Sequence, residues 1–291
     1  MACDAHIVLS ENPEEYQMKQ SDEFSFGDDS VASSYDDVLV PILFEPWAVR
    51  LVESYRPWEG RQVLDLATGT GIVARLLAEQ VGPAGSVLGS DMNGEMLERA
   101  RKWCAGLTST VKFVECSAES LDCSGDSFDF VVCQQGFQFF SNKNAAVKEI
   151  HRVLRDGGTI VVSTWRPVAE CQFFGAICDA LETIGAVEIA DMMRFPFDFM
   201  PQSELVAHFE TSGFANVRVD RHEQDLVMSG GVAHAIETAY ATPIAPKLRS
   251  LPDGEQARFR EVLTELVNEL SNDGITMGRM ASDVLSADKR N

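Results

Sequence analysis

Nine consecutive residues constrain the fold of this chain most: Val63-Leu64-Asp65-Leu66-Ala67-Thr68-Gly69-Thr70-Gly71. The apolar run Val63 to Leu66, interrupted by one acid, reads as a buried strand, and the Gly- and Thr-rich residues after it cannot extend it. From Ile72 the period changes, with Ile72, Val73, Leu76, Leu77 and Val81 recurring at three- and four-residue steps, one face of a helix. Strand, glycine turn and helix together make a cradle for a small molecule. Glycine admits backbone angles closed to other residues and lets a ligand approach the main chain. The start of the helix offers N–H groups with no partner inside the helix.

Two ligand classes compete for such a cradle. Gly69-x-Gly71-x-x-Ala74, with Asp91 downstream at the distance of a ribose-binding acid, fits a dinucleotide fingerprint. Two features point elsewhere. The linker Ala67-Thr68 separates the strand from the first glycine, and Asp65 would set a like charge against a pyrophosphate. An acid is favourable beside an ammonium or sulfonium group. D-x-x-x-G-x-G therefore suits a cationic amino-acid nucleoside better than a linked diphosphate.

Charge and cysteines bound the partners. Asp and Glu outnumber Lys and Arg 45 to 24, a net charge of −21. Such a surface repels phosphate backbones, so nucleic acid is not expected as a partner. The seven cysteines show no C-x-x-C spacing, which predicts reduced core thiols rather than a disulfide frame or a metal site. Neither a basic, apolar leader nor a run of membrane-spanning length is present, so a cytoplasmic protein away from membranes is expected.

Along the chain, residues 1–34 form an acidic segment predicted to be a mobile leader, and 35–58 a helical flap broken by Pro41 and Pro46. Its aromatics Tyr35, Phe44 and Trp47 either pack on the sheet edge or cover a ligand. Within 59–227, strands at Ser86–Ser90, Val111–Glu115, Phe128–Cys133 and Thr159–Trp165 alternate with helices that include Gly94–Ala105, Asn144–Arg155, Cys171–Ile184 and Ser203–Ser212. This alternation predicts an α/β fold with a doubly wound, mostly parallel sheet. Gly157-Gly158 is expected to stop the helix before the fifth strand. A last pair of strands is predicted at Ala215–Val227 and Ile275–Ala287. Residues 228–274 between them form a helical insertion, in which Asp253 and Gln256 resemble a capping box. Residues 275–291 complete the chain.

Three motifs in order carry a family resemblance: Asp65 to Gly71, then Gly89-Ser90-Asp91-Met92-Asn93 with Met96-Leu97, then Val153-Leu154-Arg155-Asp156-Gly157-Gly158. The chain resembles the class I S-adenosylmethionine-dependent methyltransferases, and within them the small-molecule branch that includes the ubiquinone/menaquinone C-methyltransferases. The resemblance covers roughly Tyr35 to Val219. It implies a Rossmann-like sheet of seven strands with the last antiparallel, S-adenosylmethionine as cofactor and no metal.

The resemblance also implies roles. Asp65, Ala67, Thr68, Gly69 and Gly71 would form the cofactor turn. Asp91 would take both ribose hydroxyls, Met92 would pack on the adenine, and Ser117 and Ala118 would read its edge. Ser117 stands where the family has Asp, a weaker acceptor. Gln134 would lie near the methionine moiety, with Tyr35 and Trp47 over the site. Phe137, Phe139 and Phe140 are core or the wall of an acceptor pocket. No catalytic residue stands out; of the five histidines His234 is preferred because it opens the inserted helix, and Tyr240 is similar.

The expected activity is methyl transfer to a small, largely apolar metabolite at O, N or C, with release of S-adenosylhomocysteine. A homodimer stays open. The alternatives are a non-methylating reaction, such as a cyclisation, around the same cofactor, a ligand-gated partner protein, and, more remotely, an NAD-dependent dehydrogenase.

Overall fold

The five parallel strands β1 (Gln62–Leu66), β2 (Ser86–Asp91), β3 (Val111–Glu115), β4 (Phe128–Gln134) and β5 (Leu154–Trp165) all end at the same edge of one sheet. In the computed structural model, which describes residues 35–107, 111–197 and 200–290, they lie in the order β3-β2-β1-β4-β5. The sheet continues through β8 (Ile275–Lys289), antiparallel to β5, to β6 (Phe214–Met228), antiparallel to β8. A two-residue strand β7 (Ser271–Asn272) pairs with β8 and raises the total from the expected seven strands to eight. The acidic segment 1–34 lies outside the described residues.

Side-chain alternation along β1 explains the layers. Successive residues of a strand face opposite sides. Leu64 and Leu66 pack with Val147, Ile150 and Phe209, on α4 (Lys143–Val153) and α7 (Gln202–Thr211). Val63 packs with Ala48 and Val52 of α1 (Glu45–Ser54) and with Val73 and Leu77 of α2 (Ile72–Val81). Asp65 shares the face of Val63, so its carboxylate is directed toward α2.

A third apolar cluster sits beyond the strand ends. Trp165, at the end of β5, joins Phe173 and Ile177 of α5 (Gln172–Thr183), Met193 of α6 (Val187–Arg194) and Phe259 and Leu263 of the insertion. The insertion comprises α8 (Gly231–Ala239), α9 (Ala245–Ser250) and α10 (Asp253–Glu269). An opening wide helix of the π type, Tyr35–Phe44, adds Leu39 and Leu43.

Several local expectations are corrected. Pro41 lies within the wide helix, whereas Pro46 sits in the first turn of α1, where its missing N–H has no helical partner to lose. Helix α4 stops at Val153 and Leu154 already pairs with Phe128, so the glycine pair lies in the irregular stretch between Leu154 and Thr159 of β5, Gly157 having a φ of 74°, rather than at the helix end. Asp253 is the first residue of α10 rather than its cap. Gln256 Nε2 turns back to the carbonyls of Arg249 and Leu251 (3.0 and 2.8 Å), so no capping box forms. Helix α6 was not anticipated.

The glycine turn carries a local conformational cost that only glycine avoids. Gly69 and Gly71 have φ of 55° and 87°. A Cβ on Gly69 would meet nothing within 4 Å, but one on Gly71 would lie 2.9 Å from the Cβ of Ala100 on helix α3 (Gly94–Cys104). Gly69→Ala is expected to cost about 1–2 kcal/mol through backbone strain alone, and Gly71→Ala clearly more, in denaturant melts. Equal losses would contradict the packing argument.

Candidate functional site

The turn after β1 is held by Asp65. Its Oδ2 accepts the Thr68 hydroxyl (2.5 Å) and the Ala74 N–H (2.9 Å), joining the turn to the first turn of α2. The N–H groups of the turn are themselves engaged. Thr68 donates to the Ser90 carbonyl, Gly69 to Asp91 Oδ2, and Gly71 to the Thr68 carbonyl. A pyrophosphate binds through such donors, and these three are not free for one. Ala67 reaches the turn with φ 56°, a left-handed angle that an L-residue adopts only under constraint.

Asp91 ends β2 beside the turn. Its carboxylate accepts the N–H of Gly69 and of Asn93, each at 2.9 Å, and a further backbone bond from Met92. Burial raises its pKa, and these bonds lower it less. A carboxylate offers about four lone-pair sites, so with three taken about one remains for a ligand hydroxyl.

A cavity of about 1040 Å³ opens where these strand ends meet. It lies at the upper end of the ~300–1,000 Å³ common for small-molecule sites, enough for two ligands together. It straddles β1 and β4, where the strand order reverses, the switch point at which open α/β sheets bind ligands. One half is polar and lined by Asp65 to Gly69, Ser90 to Met92 and Cys116 to Glu119. The other half is carbon-rich, with Tyr35, Phe44, Phe139, Trp165, Phe174 and Phe197 among its lining residues. Five acids line the cavity (Asp65, Asp91, Glu95, Glu98 and Glu119), and no Lys, Arg or His does so among the described residues.

The cavity brings together Tyr35, Asp65, Ala67, Thr68, Gly69, Asp91, Met92, Ser117, Ala118 and Gln134. Gly71 stands behind the turn, buried against α3. Trp47 does not line the cavity. It is 5% exposed and meets Trp165 edge-on, with ring centroids 5.3 Å apart, so it supports a wall without forming one. His234 and Tyr240 also stand away from the cavity. The Tyr240 ring packs edge-on against Phe259, with the Arg260 guanidinium 5.1 Å from its centroid. Neither side chain is placed to act as a base there. Phe137 is core, packed against Phe140 and Phe209, whereas Phe139 and Phe140 line the cavity.

Sequence reasoning did not assign Phe174, Met193, Pro196 or Phe197 to the site, although it expected the end of the fourth strand, Gln135 included, to border it. The dense run Met192-Met193-Arg194-Phe195-Pro196-Phe197 was the available signal.

Ion pairs hold the opening helix over the cavity. Buried Asp36 meets Arg99 of α3 and the Trp103 indole N–H, each at 3.4 Å, and Glu45 meets Arg75 of α2 at 2.7 Å. The phenol of Tyr35 is pushed far above its ordinary pKa by burial, and next by Asp36 and Asp91, so it stays protonated.

Comparisons with known proteins agree with this geometry. Residues 63–158 match the family model of a methyltransferase domain. The chain is 39% identical over 227 residues to ubiquinone/menaquinone biosynthesis C-methyltransferase UbiE of Xanthomonas axonopodis pv. citri, covering 72% of this chain and 87% of the relative. The chain belongs to the class I S-adenosylmethionine-dependent methyltransferases. The fold of this methyltransferase is similar to that of YcgJ from Bacillus subtilis (TM-score 0.55, 19% identity, 84% of this chain and 98% of that one). It is also similar to phosphoethanolamine N-methyltransferase 2 of Haemonchus contortus, solved with S-adenosyl-L-methionine (TM-score 0.55, 15% identity, 84% and 53%). The methyltransferase uses S-adenosylmethionine to methylate a small molecule, and the relatives favour that over a cyclisation. No helix among the described residues is long and apolar enough to cross a membrane.

The residues present suit that cofactor. Asp91 retains acceptor capacity, the acids favour a sulfonium, and three N–H groups of the turn are already engaged within the chain.

Asp65 generates a pH prediction. Burial lifts its carboxyl to about 7, against the lowering effect of Thr68 and Ala74. Because the folded chain holds this proton more tightly than the unfolded one, stability falls as pH rises from about 4 to about 7, then levels off. Asp65→Asn keeps an acceptor oxygen without the titration, so its melting temperature is expected to change less than that of the native chain between pH 5 and pH 8. Identical pH slopes in the two proteins would rule this out.

Proposed function

We propose that this methyltransferase acts on a small, largely apolar acceptor, at O, N or C, and that the cavity holds cofactor and acceptor side by side. The carrying observation is the single continuous cavity, polar at Asp91 and aromatic at Trp165 and Phe197. S-adenosylmethionine supplies a methyl group already activated on a positively charged sulfur. Asp91 holds the ribose, and the turn from Ala67 to Gly69 packs against the nucleoside. The aromatic wall excludes water and orients the acceptor. Such positioning alone can provide a large part of the rate.

The chain divides accordingly. Residues 1–34 are a leader, 35–58 a flap, 59–227 the cofactor-binding core, 228–274 a lid, and 275–291 the closing strand. The net charge of −21 supports a small-molecule acceptor over nucleic acid, and a cytoplasmic setting fits a chain with many reduced thiols.

Asp91→Ala tests the reading. Hydrogen bonds to a charged group contribute about 1.5–3 kcal/mol, so S-adenosylhomocysteine affinity in calorimetry is expected to fall about tenfold to a hundredfold. Unchanged affinity would count against the assignment.

A further inference from the structure

Gln135 is one of three cavity-lining residues, with Ser90 and Gln134, that carry a buried side-chain polar atom without a partner among the described residues. It follows β4 directly, is 5% exposed, and has a φ of 55° although it is not glycine. Its backbone N–H donates to the Ser163 carbonyl (3.0 Å), which pins it beside β5. Its side-chain Nε2 donates to the Ser282 hydroxyl of β8 (3.0 Å). Its Oε1 is buried and has no hydrogen-bond partner among the described residues.

The surrounding bonds determine which end of the amide is free. Ser282 is fully buried, and its one hydroxyl proton goes to the Thr164 carbonyl at 2.8 Å. Toward Gln135 the serine oxygen can therefore only accept, so the amide must present its NH2 there. The carbonyl oxygen is left over. A buried acceptor without a donor costs about 1–3 kcal/mol, and a left-handed backbone angle adds to that cost. Such costs persist where a site needs them.

The placement of this oxygen indicates which ligand completes it. Ser282 pairs with Trp165 across the β5–β8 ladder, so Gln135 reaches toward the aromatic half of the cavity. Asp91 and the cofactor turn lie on the other side of β4, along β1 and β2. The neighbouring Gln134 also has a buried Oε1 with no partner among the described residues, but its amide is turned to the flap. Its Nε2 donates to the Phe44 carbonyl of the flap (3.1 Å), and the resemblance places it near the methionine moiety.

Resting on the methyltransferase reading, we propose that Gln135, held by Ser282, is the specificity-determining residue for the acceptor. Its carbonyl takes a hydrogen bond from an O–H or N–H group carried on an apolar ring. The terminal torsion of glutamine is soft, so a small rotation of the planar amide turns the oxygen toward a ligand and swings the NH2 on Ser282 by the same angle. The absence of a described Lys, Arg or His from the lining adds the sign of the charge: an acceptor bearing carboxylate or phosphate finds no counter-charge there. The favoured acceptor is neutral or cationic and carries at least one proton donor.

The test uses the full chain saturated with S-adenosylhomocysteine and a matched set of probes: 2-naphthol, 2-methoxynaphthalene and 2-naphthoate. In calorimetry the native protein is expected to bind 2-naphthol about tenfold more tightly than its methyl ether, and 2-naphthoate least. Gln135→Met keeps length and removes the oxygen. It should bring the naphthol-to-ether ratio to near one while leaving S-adenosylhomocysteine affinity unchanged. Ser282→Ala frees the amide and should reduce the ratio in part. A bulk structural role for Gln135 would lower all affinities together and leave the ratio intact. The proposal is overturned if the native protein shows no preference for 2-naphthol, if it binds none of the probes, or if the preference survives Gln135→Met. The comparison within the native protein stands even if a variant does not fold. Failure to bind S-adenosylhomocysteine would instead overturn the methyltransferase reading itself.

Discussion

The buried carboxylate of Asp65 joins three pieces of chain that would otherwise separate: the end of β1, the hydroxyl of Thr68 in the turn, and the first turn of α2 through Ala74. Because β1 lies between β2 and β4, this anchoring places the turn over the middle of the sheet. Gly69 can then donate to Asp91, and the end of β2 is tied to the same centre. The cofactor half of the cavity follows from these bonds. Its acidity follows too, since the groups that brace the turn are carboxylates. With no Lys, Arg or His among the described lining residues, those charges favour a positively charged nucleoside over a diphosphate.

The aromatic half depends on a different kind of interaction. Trp165 is set by β5, backed edge-on by Trp47 of α1, and approached by Phe44 and Phe197 with centroids 6.4 and 6.3 Å away. These rings come from three separate parts of the chain and meet only because the flap and the turn after α6 close over the end of β5. Edge-to-face and tilted ring pairs are each worth about 0.5–1.5 kcal/mol beyond the area they bury. They hold the wall rigid and keep water from the acceptor. The ion pairs of Asp36 and Glu45 fasten the flap to the helices next to the cofactor turn, so the two halves of the site close together.

Much of this was legible in the residues. The change from strand to helical periodicity at Val63 to Val81 located the turn, and the spacing to Asp91 located the second strand end. The alternation of later segments led to a doubly wound, mostly parallel sheet, and the family resemblance implied the antiparallel last strand. Errors arose where a side chain's surroundings decide its role. Trp47 and Phe44 look alike in sequence as aromatics of one flap, yet one backs a wall and the other forms it. Pro46 reads as a breaker, but in the first turn of a helix it breaks nothing. Gly157 and Gly158 read as a helix stop, although pairing with β4 had already drawn Leu154 into the sheet.

The sequence by itself determined the order of strands and helices, the glycine turn and the preference for a cationic nucleoside. Those features rest on local periodicity, backbone freedom and formal charge, which short stretches carry intact. Only the tertiary structure decided that Asp65 braces the turn, that His234 and Tyr240 stand apart from the cavity, and that Gln135 holds a carbonyl without a partner. Each of these depends on contacts between residues far apart along the chain, such as Gln135 with Ser282, and no local pattern encodes which distant atoms will meet.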